Sequence, residues 1–153
     1  MGALIAAMGV FIFVLLGIVI AMYILSALAL STLAKNNGYA DKAFFAWLPF
    51  TNTYLLGLLC GDVNLFGKLY LPANTSAILL TVLPLATAIP IVGFIVTICW
   101  WILFGHAIYN LLKMINPDNA VLMAVLAIIP ATFISFPIYL FINREATLDN
   151  DVY

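Results

Sequence analysis

Residues 69–112 read LYLPANTSAILLTVLPLATAIPIVGFIVTICWWILFGHAIYNLL, and none of these 44 positions carries a charge. As one helix the run would be about 66 Å long, twice the hydrocarbon thickness of a bilayer. It therefore has to break, and Pro84 and Pro90 mark where. The pattern predicts a helical hairpin with arms over about Thr75 to Ala88 and Ile91 to Ile115, turning at Ile89-Pro90-Ile91-Val92-Gly93. The first arm is short for a full crossing.

Working outward, three more charge-free runs extend over Met1 to Ala34, Ala43 to Gly61 and Asn119 to Asn143. The first holds one helix over about 4–33. It has no Lys or Arg before it and is about twice as long as a cleavable signal's apolar stretch, so a retained helix is expected. The last holds one helix over about 120–141, kinked by Pro130 and Pro137 and preceded by the turn residues Asn116-Pro117-Asp118-Asn119. A polar tail over 143–153 follows.

The second run, 43–60, is different. Aromatic residues crowd its first half, and Thr51, Asn52 and Thr53 closely follow Pro49. Pro49 frees the carbonyl four residues earlier, and the three polar side chains can supply the hydrogen bonds that a broken helix at membrane depth needs. A re-entrant or interfacial element is expected, with a full crossing as the alternative, in which Gly57 and Gly61 would form a Gly-x-x-x-Gly contact.

The composition agrees with these runs. Of 153 residues, 67% are apolar and 7% charged, against roughly 45–50% and 25% in soluble domains. The fold class expected is all-α: one integral membrane domain of about four transmembrane helices plus the Pro-broken element. The runs are too long for barrel strands, which need about 9–11 residues of alternating polarity. With five Lys and Arg against six Asp and Glu there is no basic patch, which excludes nucleic acid as a partner. Orientation follows from the positive charges. If 43–60 does not cross, Lys35, Lys42, Lys68 and Lys113 share one side and Arg144 lies opposite, placing both ends outside; if it crosses, the split is three to two.

Trp47-Leu48-Pro49, Val82-Leu83-Pro84 and Ile128-Ile129-Pro130 each join two apolar stretches, a weak repetition of the kind seen in duplicated membrane hairpins. The stretches Ala34-Lys35-Asn36-Asn37-Gly38 and Phe45-Ala46-Trp47-Leu48-Pro49-Phe50-Thr51-Asn52-Thr53-Tyr54-Leu55-Leu56-Gly57 carry a further signal. Together with Ile89-Pro90-Ile91-Val92-Gly93, Asn110-Leu111-Leu112-Lys113 and Ile129-Pro130, they resemble a family of small, mostly uncharacterised bacterial membrane proteins sometimes labelled signal peptidase I. That resemblance implies a compact four-helix protein of the bacterial cytoplasmic (inner) membrane, multi-pass, and carries over no catalytic residue. Gly93 stands where that family often has Asn, which weakens any polar site there.

Catalytic chemistry finds no footing in the residues. A serine-type signal peptidase needs a Ser nucleophile and a Lys base on a soluble domain, and every Lys here flanks a membrane segment. One His and two separated Cys, Cys60 and Cys99, have no metal-ligand spacing, so neither a metal site, a disulfide nor a cofactor is expected. Two constellations remain. Ala6, Gly9, Gly17 and Ala21 form a stripe of small residues suited to close helix packing, interrupted by Phe13. His106, Asn110 and Lys113 lie on one helix face beside Tyr109, and His106 and Asn110, with Thr51, Asn52 and Thr53, are candidates for a polar path. The competing account has Lys113 snorkelling to the interface and a neutral His106 bonded to a neighbouring helix. Trp100 and Trp101 are expected to be packing or belt residues.

A non-enzymatic membrane protein follows as the expected function, acting through helix contacts as a small subunit, accessory or scaffold. Its partners would be the lipid bilayer and other membrane subunits or further copies of itself. The alternative is a small oligomeric channel or transporter.

Overall fold

Helix α1 runs over Gly2–Asn36 without a proline to interrupt it. It stops at Gly38, whose φ of +85° is open to glycine without a Cβ penalty, and the Tyr39 N–H closes the turn on the Ala34 carbonyl at 2.8 Å. The computed structural model describes residues 2–89, 92–128 and 134–148, and it is predominantly helical.

A 3-10 helix, Ala40–Trp47, then climbs back along α1 until the Tyr23 hydroxyl donates to the Trp47 carbonyl at 2.7 Å. The chain breaks at Leu48-Pro49-Phe50, where Phe50 takes a φ of +71°, and returns as α2, Thr51–Leu59. Gly61, just past α2, shares a small groove with Asn37 and Tyr39 at the foot of α1. The segment expected to be half-inserted therefore leaves one end of the molecule and comes back to it. At nine residues α2 is about 13 Å long, under half of a hydrocarbon layer.

Residues 62–72 hold an element the sequence reading lacked. Strands β1, Val63–Leu65, and β2, Leu69–Leu71, pair antiparallel with Asn64 opposite Tyr70. Phe66 and Gly67 make the turn with φ of +55° and +69°, the two positive values of a type I′ turn. Three residues per strand are too few for alternation to be read in a chain this apolar.

Helix α3, Ala73–Ala86, lies antiparallel to α2, and α4, Val92–Ile115, lies antiparallel to α3. Close approach sets both contacts. A Cβ on Gly57 would fall 2.4 Å from the Ala77 Cα, and one on Gly93 would fall 2.2 Å from the Thr87 carbonyl oxygen. The Trp100 indole N–H donates to the Leu80 carbonyl at 2.9 Å, tying α4 to α3 midway. The expected hairpin arms are thus present, shifted by one or two residues; Pro90 and Ile91 of its turn lie outside the described residues.

The single helix expected over 120–141 is instead two. After a 3-10 turn at Pro117–Asn119, where the Asn116 side chain accepts from the Asp118 N–H at 3.2 Å, α5 covers Ala120–Ile128 and α6 covers Ser135–Ile142. Phe136 and Tyr139 of α6 pack on a cluster made by Ile108 and Leu112 of α4 with Ala120 and Ala124 of α5, and the Ser135 hydroxyl donates to the Leu126 carbonyl at 3.4 Å, so α6 lies back against α5. Pro130, expected only to kink a continuous helix, lies outside the described residues between them, and Pro137 is buried in the first turn of α6, where its missing N–H costs no intrahelical bond. Of the expected tail, residues 149–153 are outside the description.

Two helices, Leu4–Asn36 and Val92–Ile115, are long and apolar enough to cross a membrane by length and composition. The buried core lies towards the foot of α1, where Leu33, Leu55, Leu59, Leu111 and Leu140 are all within 2% of complete burial. By contrast every residue from Leu4 to Ala21 is exposed.

Gly57→Ala should lower the thermal stability in detergent by about 1–3 kcal/mol, because the added methyl meets backbone and not a movable side chain. Ala77→Gly should not restore it, since the nearest atom is the Ala77 Cα. A Gly57→Ala protein as stable as the parent would show that α2 and α3 separate at little cost.

Candidate functional site

The polar residues singled out from the sequence fall into two groups at opposite ends of α2. Thr51, Asn52 and Thr53 open α2 at the Pro49 break, whereas Asn110 reaches the Asp62 carbonyl just beyond its other end, at 3.2 Å. They do not line one path within this chain.

Around Pro49 the side chains serve the backbone. The carbonyl of Phe45, four residues before Pro49, receives the Thr51 hydroxyl at 2.9 Å, and that hydroxyl also lies 3.2 Å from the Leu48 carbonyl. Thr53 donates to the Phe50 carbonyl at 2.5 Å and stands 3.4 Å from the Thr81 hydroxyl on α3. The Asn52 N–H bonds the Leu48 carbonyl at 3.3 Å. With no side-chain cap on the α2 N-terminus itself, these bonds hold the break closed.

The second group surrounds α4. His106 Nδ1 lies 2.9 Å from the Ile102 carbonyl of its own helix; a carbonyl only accepts, so Nδ1 carries the hydrogen. The bond expected to a neighbouring helix is absent among the described residues, because the neighbouring element at that height presents Phe66, whose ring meets the imidazole edge to face at 4.9 Å. Asn110 is 8% exposed and fastens the start of the β-hairpin to α4. Asp62 completes the fastening by accepting the Ala73 N–H at 2.8 Å and the Tyr70 hydroxyl. That last bond, with the nearby carboxylate charge, raises the Tyr70 hydroxyl above its usual range. The bond persists below the ordinary tyrosine range and is lost as pH rises through the raised value.

Grooves open on both sides of the hairpin tip. One, of about 390 Å³, lies between α4 and α5 and is lined by Phe66, Trp101, His106 and Val125 among others. The other, of about 420 Å³, lies between the hairpin, α3 and α4, with Lys68, Leu69, Leu83 and Cys99 on its walls. Trp101 is 44% exposed, while Trp100 stacks on Phe104 with ring centroids 4.8 Å apart. Among the described residues no cluster of three or more His, Cys, Asp or Glu is placed to hold a metal ion.

The small-residue stripe of Ala6, Gly9, Gly17 and Ala21 lies wholly on the exposed half of α1. A Cβ built on Gly9 or Gly17 meets nothing within 4 Å. Nothing among the described residues packs there.

Sequence reasoning passed over Asn37, Phe66 and Lys68. Asn37 binds the C-terminal segment, donating to the Ala146 carbonyl at 3.0 Å and accepting from the Leu148 N–H at 2.6 Å. An Asn after a helix reads locally as a turn residue, and its partners are 109 and 111 positions away. Comparison of the chain with known protein families, curated proteins and solved structures found no match.

Thr51→Val keeps the side-chain shape and removes the hydroxyl, so it should cost about 0.5–1.5 kcal/mol by removing the shorter of the two hydrogen bonds that the Phe45 carbonyl accepts. Thr51→Ser, which keeps the donor, should recover most of that loss. Thermal unfolding in detergent reads both; equal losses for Val and Ser would show that the methyl group and not the hydrogen bond matters.

Proposed function

We propose that this chain is a non-enzymatic integral membrane protein of the bacterial cytoplasmic membrane that works through helix contacts, as a small subunit, accessory or scaffold of a larger assembly. The observation that carries this reading is the exposed half of α1, from Leu4 to Ala21, an apolar stretch with no partner among the described residues. Glycines at 9 and 17 leave room on that face for a second helix to approach closely.

The arrangement of charge supports a multi-pass protein whose charged end is cytoplasmic. Lys35, Lys42 and Arg144 gather at the foot of α1, where Asn36 bonds Glu145 at 3.4 Å and Lys42 stands over the Tyr39 ring. Lys113 lies beyond Asn110 on α4, and Lys68 sits on the hairpin anchored at the same end. Because α6 returns to the foot of α1, Arg144 joins Lys35 and Lys42 instead of lying opposite them. In this reading α1 and the α3–α4 hairpin cross, the 40–59 and 120–142 segments enter and return, and the N-terminus is outside.

A second reading, a small oligomeric channel or transporter, draws on those two folded-back segments, since broken helices build midplane sites in transporters. Against it, Thr51, Thr53 and His106 spend their hydrogen bonds on nearby backbone.

Cysteines placed at Lys42, Lys68 and Arg144 should all react with an impermeant thiol reagent from the same side of the membrane, and one at Gly2 from the other. Labelling of positions 42 and 68 from opposite sides would sink the folded-back arrangement. Gly9→Leu and Gly17→Leu should leave the fold and melting temperature unchanged, because a side chain there meets open space, yet reduce the assembled mass in detergent. Unchanged mass in both variants would remove the basis of the assembly reading.

A further inference from the structure

The two grooves beside the hairpin tip share two walls, Phe66 and Ile102. Each has the volume of a small-molecule site, about 300–1,000 Å³ in general. Their walls are apolar apart from His106, Tyr109 and Lys68. Lys68 is the one charged side chain on either lining, no carboxylate joins it there, and it makes no ion pair among the described residues. The nearest hairpin carboxylate, Asp62, is committed to Tyr70 and the Ala73 N–H.

Phe66 itself is held in a costly conformation. A φ of +55° suits Asn or Gly in a type I′ turn and is a genuine outlier for an aromatic residue. The ring stays 72% exposed, so burial of its own surface does not account for its presence. What the turn achieves is to stand an aromatic divider between two apolar slots.

We infer that the hairpin tip seats one anionic two-chain phospholipid, with an acyl chain in each groove, the chains straddling Phe66, and the phosphate on the Lys68 ammonium. Two separate slots meeting at one ring match the two chains of a single molecule, whereas a docking helix needs one continuous groove. The unpaired cation sets the sign of the headgroup, and a phosphate oxygen accepting from an ammonium is a charge-assisted contact. The inference rests on the membrane reading above. Failure of that reading shows as loss of the protein from the membrane fraction; failure of this one shows as a membrane-embedded protein without lipid preference.

The test is lipid retention by the intact chain, measured by native mass spectrometry after reconstitution in phosphatidylcholine vesicles with or without phosphatidylglycerol. The wild type should carry phosphatidylglycerol in preference to phosphatidylcholine. Lys68→Gln should lower that retention about tenfold, the effect of one hydrogen bond to a charged group, while Lys35→Gln at the same end leaves it unchanged. Phe66→Gly supplies a second readout that misfolding cannot mimic: it relaxes the turn, so thermal stability without lipid should hold or rise while lipid retention falls. Equal retention of the two lipids by the wild type, or unchanged retention in Lys68→Gln, would overturn the inference.

Discussion

A chain with so few polar side chains must close its own backbone hydrogen bonds wherever a helix stops away from water, and that constraint shapes most of the structure. At Pro49 the Phe45 carbonyl keeps only a long bond from the Leu48 N–H, at 3.4 Å, and the Thr51 hydroxyl adds a shorter one at 2.9 Å. At the foot of α1, Gly38 lets the Tyr39 N–H return to Ala34, while Asn37 gathers the chain's last described segment with both ends of its amide. At the start of the hairpin, Asp62 and Asn110 do the same for strands too short to hold themselves. These polar side chains stand at ends, whereas Ser26, Thr32, Thr81 and Thr97 bond carbonyls four residues back within their own helices.

Satisfying those ends allows short helices to double back, and doubling back makes the molecule asymmetric. The 40–59 segment and the α5–α6 pair both return to the foot of α1, so the buried leucines collect there with Lys35, Lys42 and Arg144. The far half of α1 is left bare. Glycine takes contrasting parts at the two ends: Gly57 and Gly93 each press on a neighbouring backbone where no Cβ fits, and Gly9 and Gly17 face empty space. Glycine in a membrane helix therefore marks a contact only when another element is present to make it.

Strain and emptiness coincide at one place. The hairpin tip keeps an aromatic residue where glycine would relax the backbone, and it does so between two apolar grooves and beside an unpaired lysine. Elsewhere the positive φ values at Gly38 and Gly61 fall on glycine, and that of Phe50 lies in the turn after Pro49.

The sequence by itself determined the helical class, the places of α1, α3 and α4 though not their ends, and the break at Pro49 with the threonines that bond beside it. These follow from local physics: runs of apolar residues, a missing amide, a hydroxyl within reach. It left the β-hairpin unread, since three-residue strands carry no period, and it merged α5 with α6, since Pro130 and Pro137 leave both a kinked helix and a folded-back pair open. The candidate polar path was composed from residue types, and only tertiary packing could show that Thr51 and Asn110 stand at opposite ends of α2. The gathering of Lys35, Lys42 and Arg144 at one end was equally beyond local reading. It depends on contacts across more than a hundred positions, such as Asn37 with Ala146, which no spacing along the chain encodes.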